Sequence, residues 1–121
     1  MYNHMVVHRK NDQRADKLFH ALSDTTRRSI VTRCLQGEHT VSELARSYPM
    51  SFAAVQKHVA VLERAELVTK HRRGREQMVS GNVRSIRYAF DVLEQYEELW
   101  RGRFERMDQI LTQNPKQGAK K

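Results

Sequence analysis

The chain has 121 residues, enough for one domain with a modest core. Lys and Arg number 22 against 14 Asp and Glu, giving a formal charge of +8 and a pI near 10.1, so an anionic partner is favoured, with nucleic acid first. No apolar run approaches the ~20 residues of a membrane span, and the single cysteine excludes an internal disulfide.

Residues 1–14 are expected to form a flexible N-terminal segment. Within it, apolar Met5-Val6-Val7 precede basic Arg9-Lys10, the wrong order for a secretory signal, and a cytoplasmic location with no membrane partner follows. A first helix is expected over Asp16 to Leu22, with Leu18, Phe19 and Leu22 at helical spacing. A second starts at an Asp24 N-cap, carries Ile30, Val31, Cys34 and Leu35, and stops at Gly37. Cys34 lies in this apolar stretch, which suits a small buried hydrophobe better than a redox sensor. Arg27 and Arg28 fall in the helix's first turn, where cations oppose the helix dipole. Such a misfit calls for a partner, either a DNA phosphate or an internal acid or carbonyl, and the sequence leaves both open.

Thr40-Val41-Ser42-Glu43 places a Thr three residues ahead of a Glu, a reciprocal capping box that starts a short helix at Val41. Val41, Leu44 and Ala45 share one face, and Tyr48-Pro49 ends the helix because Pro restricts the residue before it. Ser51 is the next N-cap, with Met50 and Val55 placed as a hydrophobic staple. The following helix has a buried stripe of Val55, Val59, Leu62 and Ala65, leaving Ser51, Ala53, Gln56, Lys57 and His58 facing outward or along its margin. Gln can pair with adenine and Lys with guanine, while Ala53 or the ring of Phe52 can lie against a thymine methyl.

After Leu67 the pattern changes to alternating, β-branched residues over Val68 to Arg73, a turn at Gly74, and a return strand from Arg75 to Val79. The expected hairpin carries Lys70, Arg72, Arg73 and Arg75, with His71 among them, a charge density suited to gripping phosphates. A helix pair followed directly by such a hairpin is the layout of a winged helix-turn-helix, mainly α with a small β-hairpin.

Val83 to Phe90 is expected to form a short helix. The stretch after Asp91 forms a long one with Val92, Leu93, Tyr96, Leu99, Trp100, Phe104, Met107, Ile110 and Leu111 in register. A core this small has little room for that stripe, so part of it is expected to meet a second subunit. A two-fold pair of recognition helices would then meet half-sites ~34 Å apart. Residues 15–112 constitute the expected domain, and residues 113–121 a basic disordered tail.

Phe19 to Ile30, Val41-Ser42-Glu43-Leu44-Ala45, Met50-Ser51, Val55 to Val59 and Val61-Leu62 together resemble the ArsR family of bacterial winged-helix transcriptional regulators. The resemblance spans roughly residues 15 to 111. It implies a homodimer that binds an operator, usually as a repressor, with the terminal helices as dimer interface and the second helix of the helix-turn-helix in the major groove. Dimer roles fall on Leu18, Phe19, Tyr96, Trp100, Phe104, Met107 and Leu111, and DNA roles on Ser51 to His58 and the hairpin cations. Pro49 stands where family members often have Gly. The metal-sensing sets that the family's founding members carry, a cysteine pair on the first helix of the helix-turn-helix or His and carboxylates on the last helix, are missing from this sequence. The chain thus resembles the branch without the recognised metal sites, and no metal, cofactor or effector is assigned.

A sequence-specific regulator of double-stranded DNA accounts for both the charged hairpin and the apolar last helix. A non-specific nucleic-acid-binding protein, for RNA or DNA, is permitted by charge but lacks an aromatic stacking array. An enzyme finds no glycine-rich phosphate loop and no recognisable nucleophile motif.

Overall fold

Side chains that complete the open backbone groups at helix ends set most of the element boundaries. The structure, a computed structural model, describes the backbone of residues 2–113 and the side chains of residues 12–111. In chain order the elements are α1 (Tyr2–Leu22), α2 (Thr25–Gln36), β1 (His39–Thr40), α3 (Val41–Arg46), α4 (Phe52–Arg64), β2 (Val68–Arg73), β3 (Glu76–Gly81) and α5 (Val83–Gln113). The architecture is a winged helix-turn-helix, mainly α with a small antiparallel sheet.

Asp24 caps α2 by accepting from the Arg27 amide at 3.0 Å. The capping box at α3 is complete: Thr40 Oγ1 accepts from the Glu43 amide at 3.0 Å, and Glu43 Oε1 accepts from the Thr40 amide at 2.8 Å. Ser51 Oγ accepts from the Ala54 amide at 3.1 Å and opens α4. α4 closes in a Schellman motif, with the Leu67 amide on Leu62 O and the Glu66 amide on Glu63 O, both at 2.9 Å. That motif needs a left-handed residue, and here the position is filled by Glu66 at φ 61 rather than by Gly.

The sheet has the order β1-β3-β2, all antiparallel. β1 was not expected from sequence, since two residues give no readable alternation; it exists because His39 and Thr40 pair with Val79 and Met78. Arg73 pairs with Glu76, so the wing turns through Gly74-Arg75 alone, with Gly74 at φ 63, as a two-residue hairpin loop with a leading Gly requires. Gly81 lies so close to α2 that a Cβ there would sit 2.7 Å from Leu35 Cδ2.

Two compact units divide the chain, residues 1–89 and residues 90–121, where one domain over 15–112 was expected. In the first, α1 and α2 pack on each other and on α4, and Leu18, Ile30, Leu44, Val55, Leu62 and Val79 are fully buried. The second comprises the α5 residues from Phe90 on. The short helix expected over Val83 to Phe90 and the long one after Asp91 are a single helix, α5, because Asp91 interrupts no helical geometry and no proline intervenes. Similarly, the first helix starts at Tyr2 rather than near Asp16, with no Gly or Pro before Ser23 to stop it. The tail expected over 113–121 lies, beyond Gln113, outside the described residues.

Candidate nucleic-acid interface

Val55, Val59 and Leu62 anchor α4 in the core, and at 3.6 residues per turn the opposite side must face outward. Ser51, Phe52, Ala53, Gln56 and Lys57 are all exposed. A paired amide donor and acceptor, a free ammonium and small or flat apolar groups are what base edges and thymine methyls accept. The α3–α4 turn beneath this face is braced by Tyr48, whose hydroxyl is 2.8 Å from Ser29 Oγ, and by Arg33, which donates to Ser47 Oγ at 3.0 Å. Pro49 therefore sits in a turn held from α2.

His58 departs from its expected place. It lies about 100° around the helix from Lys57 and is half-buried, with Nδ1 3.2 Å from Arg27 Nη1 and 4.0 Å from Asp24 Oδ2. A guanidinium only donates, so Nδ1 presents its lone pair to Arg27. His58 thus fixes α4 to the α1–α2 junction instead of turning its ring out with Gln56 and Lys57, where a base edge was expected to meet it.

That junction also answers the question posed by Arg27 and Arg28. Arg27 Nε donates to Ala21 O at 2.8 Å and Nη2 to His20 O at 3.1 Å, while Arg28 Nη1 donates to Leu22 O at 2.8 Å. Cations misplaced at the start of α2 thereby meet the open carbonyls and negative end of α1. Asp24 sits beside them, its carboxyl held below the usual range by the Arg27 amide first and by the Arg27 charge as well.

Antiparallel register sorts the wing cations onto two faces. Lys70 and Arg72 share a face with Val79 and Gln77, while His71 and Arg73 share the other with Met78 and Glu76. Lys70 Nζ is 3.4 Å from Glu63 Oε1 of α4. On the other face a single carboxylate, Glu38, gathers three partners: Arg73 Nη2 at 2.8 Å, Ser80 Oγ at 2.9 Å and His71 Nε2 at 3.0 Å. The Ser80 hydroxyl, then the Arg73 and His71 charges, keep the Glu38 carboxyl below its ordinary range. Of the expected phosphate-gripping set, Lys70 and Arg73 are thus engaged with acids of the protein itself. Among the described residues Arg72 and Arg75 have no such partner and stand exposed. A groove of about 310 Å³ runs between wing and α4, lined by Phe52, Gln56, Lys70, Arg75 and Gln77 among others. Glu38 was absent from the sequence expectations, because an acid in a loop has no signal that ties it to a hairpin more than thirty residues away.

The residues expected at a dimer interface divide in two. Leu18 is wholly buried and Phe19 packs against the same core, so Leu18 is corrected to a core residue: α1 spends this face on α2 and α4. In the second unit Tyr96, Trp100, Phe104, Met107 and Leu111 are all exposed, with Trp100 and Phe104 edge to face at 4.8 Å between ring centroids. Among the described residues no three His, Cys, Asp or Glu side chains group as a metal site would require. No helix there is long and apolar enough to cross a membrane.

Comparison with known proteins follows the same lines. Residues 24–70, from the α2 cap to the wing's first strand, match the family model described as bacterial regulatory protein, arsR family. The HTH-type transcriptional regulator Rv2034 of Mycobacterium tuberculosis is 49% identical over 53 residues, 44% of this chain and 50% of that protein. The transcriptional repressor SdpR of Bacillus subtilis is 32% identical over 59 residues, 49% of this chain and 66% of that protein. The chain thus covers less than two thirds of either relative. Among solved structures, an ArsR-like transcriptional regulator from Rhodococcus sp. RHA1 superposes with a TM-score of 0.72 at 30% identity, over 81% of this chain and 92% of that one. A capped helix pair with an exposed second helix, a cationic wing behind it and this agreement over nearly a whole homologous chain lead to one conclusion: the chain belongs to the ArsR family of bacterial regulatory proteins.

Proposed function

We propose that the chain is a dimeric, sequence-specific DNA-binding transcriptional regulator, acting in the cytoplasm as a repressor on a two-fold symmetric operator. The observation that carries this is the outward face of α4, where Gln56 and Lys57 stand exposed beside Ser51, Phe52 and Ala53. Across the groove from them stands Arg75 of the wing, and neither it nor the exposed Arg72 has an acid partner among the described residues. α4 supplies base contacts in the major groove and the wing supplies backbone contacts, a division that gives both sequence preference and salt dependence. The description of the Bacillus relative as a repressor supports the sense of regulation.

Dimerisation is supported by α5, whose Tyr96, Trp100, Phe104, Met107 and Leu111 recur at intervals of three and four and leave a continuous apolar seam in water. Two protomers joined there would present two α4 helices to half-sites about one turn of DNA apart. Sedimentation of a Trp100→Glu, Phe104→Glu double variant checks this, with a monomer expected.

The test of function is selection of bound duplexes from a random library, followed by titration of the enriched site and a scrambled one at several salt concentrations. A symmetric site bound far more tightly than the scramble is expected, and Lys57→Ala should cost ~1–3 kcal/mol on the enriched site with little change on the scramble. Equal affinity for every sequence, collapsing with salt, would leave only a basic nucleic-acid-coating protein and overturn the proposal.

A further inference from the structure

We infer that Lys17 of α1 and Arg64 at the end of α4 form a second phosphate-binding locus, on the flank of α4 opposite the wing, so that DNA is gripped along both walls of the groove α4 enters. The inference rests on the DNA-binding reading above and extends its footprint.

Helical geometry supplies the first step. Seven residues separate Lys57 from Arg64, nearly two full turns, so the two side chains project within about 20° of each other and about 10 Å apart along the axis. Any surface that receives Lys57 therefore passes over Arg64 as well, whose side chain reaches from this front face to the α1 side, where it lines clefts with Lys17. Ala53 and Ala60 lie between and beside them, small enough to let that surface approach.

The surroundings of Arg64 supply the second step. Two adjoining clefts, of about 150 and 200 Å³, lie between α1 and α4, and Lys17 and Arg64 line both. His20 lines one; Gln13, Arg14 and Glu66 line the other. Arg14 is occupied, its guanidinium 3.9 Å from the centre of the Tyr88 ring. Lys17 and Arg64 are exposed and make no ion pair among the described residues, Glu66 included. At Arg73 and Lys70, by contrast, the fold supplies an acid.

Size makes the third step. An α-helix with its side chains is about 10–12 Å across and the major groove is about 12 Å wide, so a seated helix meets a sugar-phosphate strand on each side. On one flank Gln56 and Glu63 adjoin the wing, where Arg75 lines the same groove as Gln56 and Arg72 shares the face of Lys70. The other flank, at Val61 and Ala65, adjoins Lys17 and His20. Free cations at both flanks match a strand at each.

The experiment measures affinity for the duplex enriched by selection, and for its scramble, between 50 and 200 mM salt. Four proteins are compared: wild type, Lys17→Gln/Arg64→Gln, Arg64→Lys, and Arg101→Gln/Arg106→Gln, which removes from α5 the same charge as the first double variant removes. Each released phosphate contact is worth about 0.9 in the slope of log K against log salt, so the first double variant should lose about two units per bound protomer. Its preference for the enriched site should stay within about twofold of wild type, because phosphate contacts carry no sequence information. Arg64→Lys, which keeps the charge, should retain the wild-type slope and guards against a folding artefact. An unchanged slope, or a loss no larger than that of the α5 variant, overturns the inference while leaving DNA binding intact. Absence of duplex binding by the wild type overturns both.

Discussion

Replacing Arg27 by Ala separates a structural clamp from a DNA contact. The guanidinium makes hydrogen bonds to Ala21 O at 2.8 Å and His20 O at 3.1 Å and meets His58 Nδ1 at 3.2 Å. A net contribution near 1 kcal/mol for each bond, rather more for a charged donor on a half-buried carbonyl and less at the exposed one, amounts to about 3 kcal/mol. For a chain of this size that corresponds to a fall in Tm of ~10 °C. Urea unfolding followed by circular dichroism, at fixed protein concentration because the proposed dimer would make stability depend on it, gives the number directly. Arg27→Lys should recover less than half, since an ammonium cannot span three acceptors in a planar fork. At a temperature where both proteins are folded, the salt slope of DNA binding should match wild type. A stability loss under 1 kcal/mol together with a slope reduced by about one would refute the clamp and place Arg27 on a phosphate.

Glu66→Gly should raise stability by ~1 kcal/mol in the same assay, because it relieves a left-handed conformation that only glycine adopts freely; a neutral or destabilising result would mean the Glu66 side chain contributes something its backbone position conceals. Acid should loosen the fold: Asp24, Glu38 and Glu43 all have folded pKa values below their usual ones, so their stabilisation is present above about pH 4.5 and is lost as pH falls through the lowered values. Glu38→Gln should flatten that acid limb and, by releasing Arg73 and His71, speed amide exchange in the wing; an unaltered wing would show that the Glu38 contacts restrain nothing. Cys34 is buried and its thiol is pushed up to about 11 by loss of hydration, so at pH 7.5 alkylation should be slow in the native protein and fast in urea, and rapid native labelling would contradict the burial.

Much of the site was legible in the order of residues because its signals are short. Thr40 and Glu43, Asp24 and the Arg27 amide, and Ser51 and the Ala54 amide are each three residues apart, so caps can be read without knowing the fold. Periodicity likewise put Val55, Val59 and Leu62 inside and Gln56 and Lys57 outside. The errors cluster at margins. His58 is one position past a clearly exposed residue, where 100° of rotation separates solvent from a neighbouring helix, and Leu18 belongs to a stripe that periodicity marks as buried without saying by what.

The sequence by itself determined the helix-turn-helix, the wing and the apolar seam of α5, because capping and amphipathic spacing act within a turn or two of chain. Only the tertiary structure decided which cations are free. Arg27 meets His58 across 31 residues, and Arg73 meets Glu38 across 35; Lys17 comes beside Arg64 only once α1 lies along α4. A positive charge reads the same in a sequence whether or not an acid or a carbonyl faces it. What faces it is set by packing between elements remote in the chain, and that packing leaves Lys57, Arg72 and Arg75 open while it neutralises their neighbours.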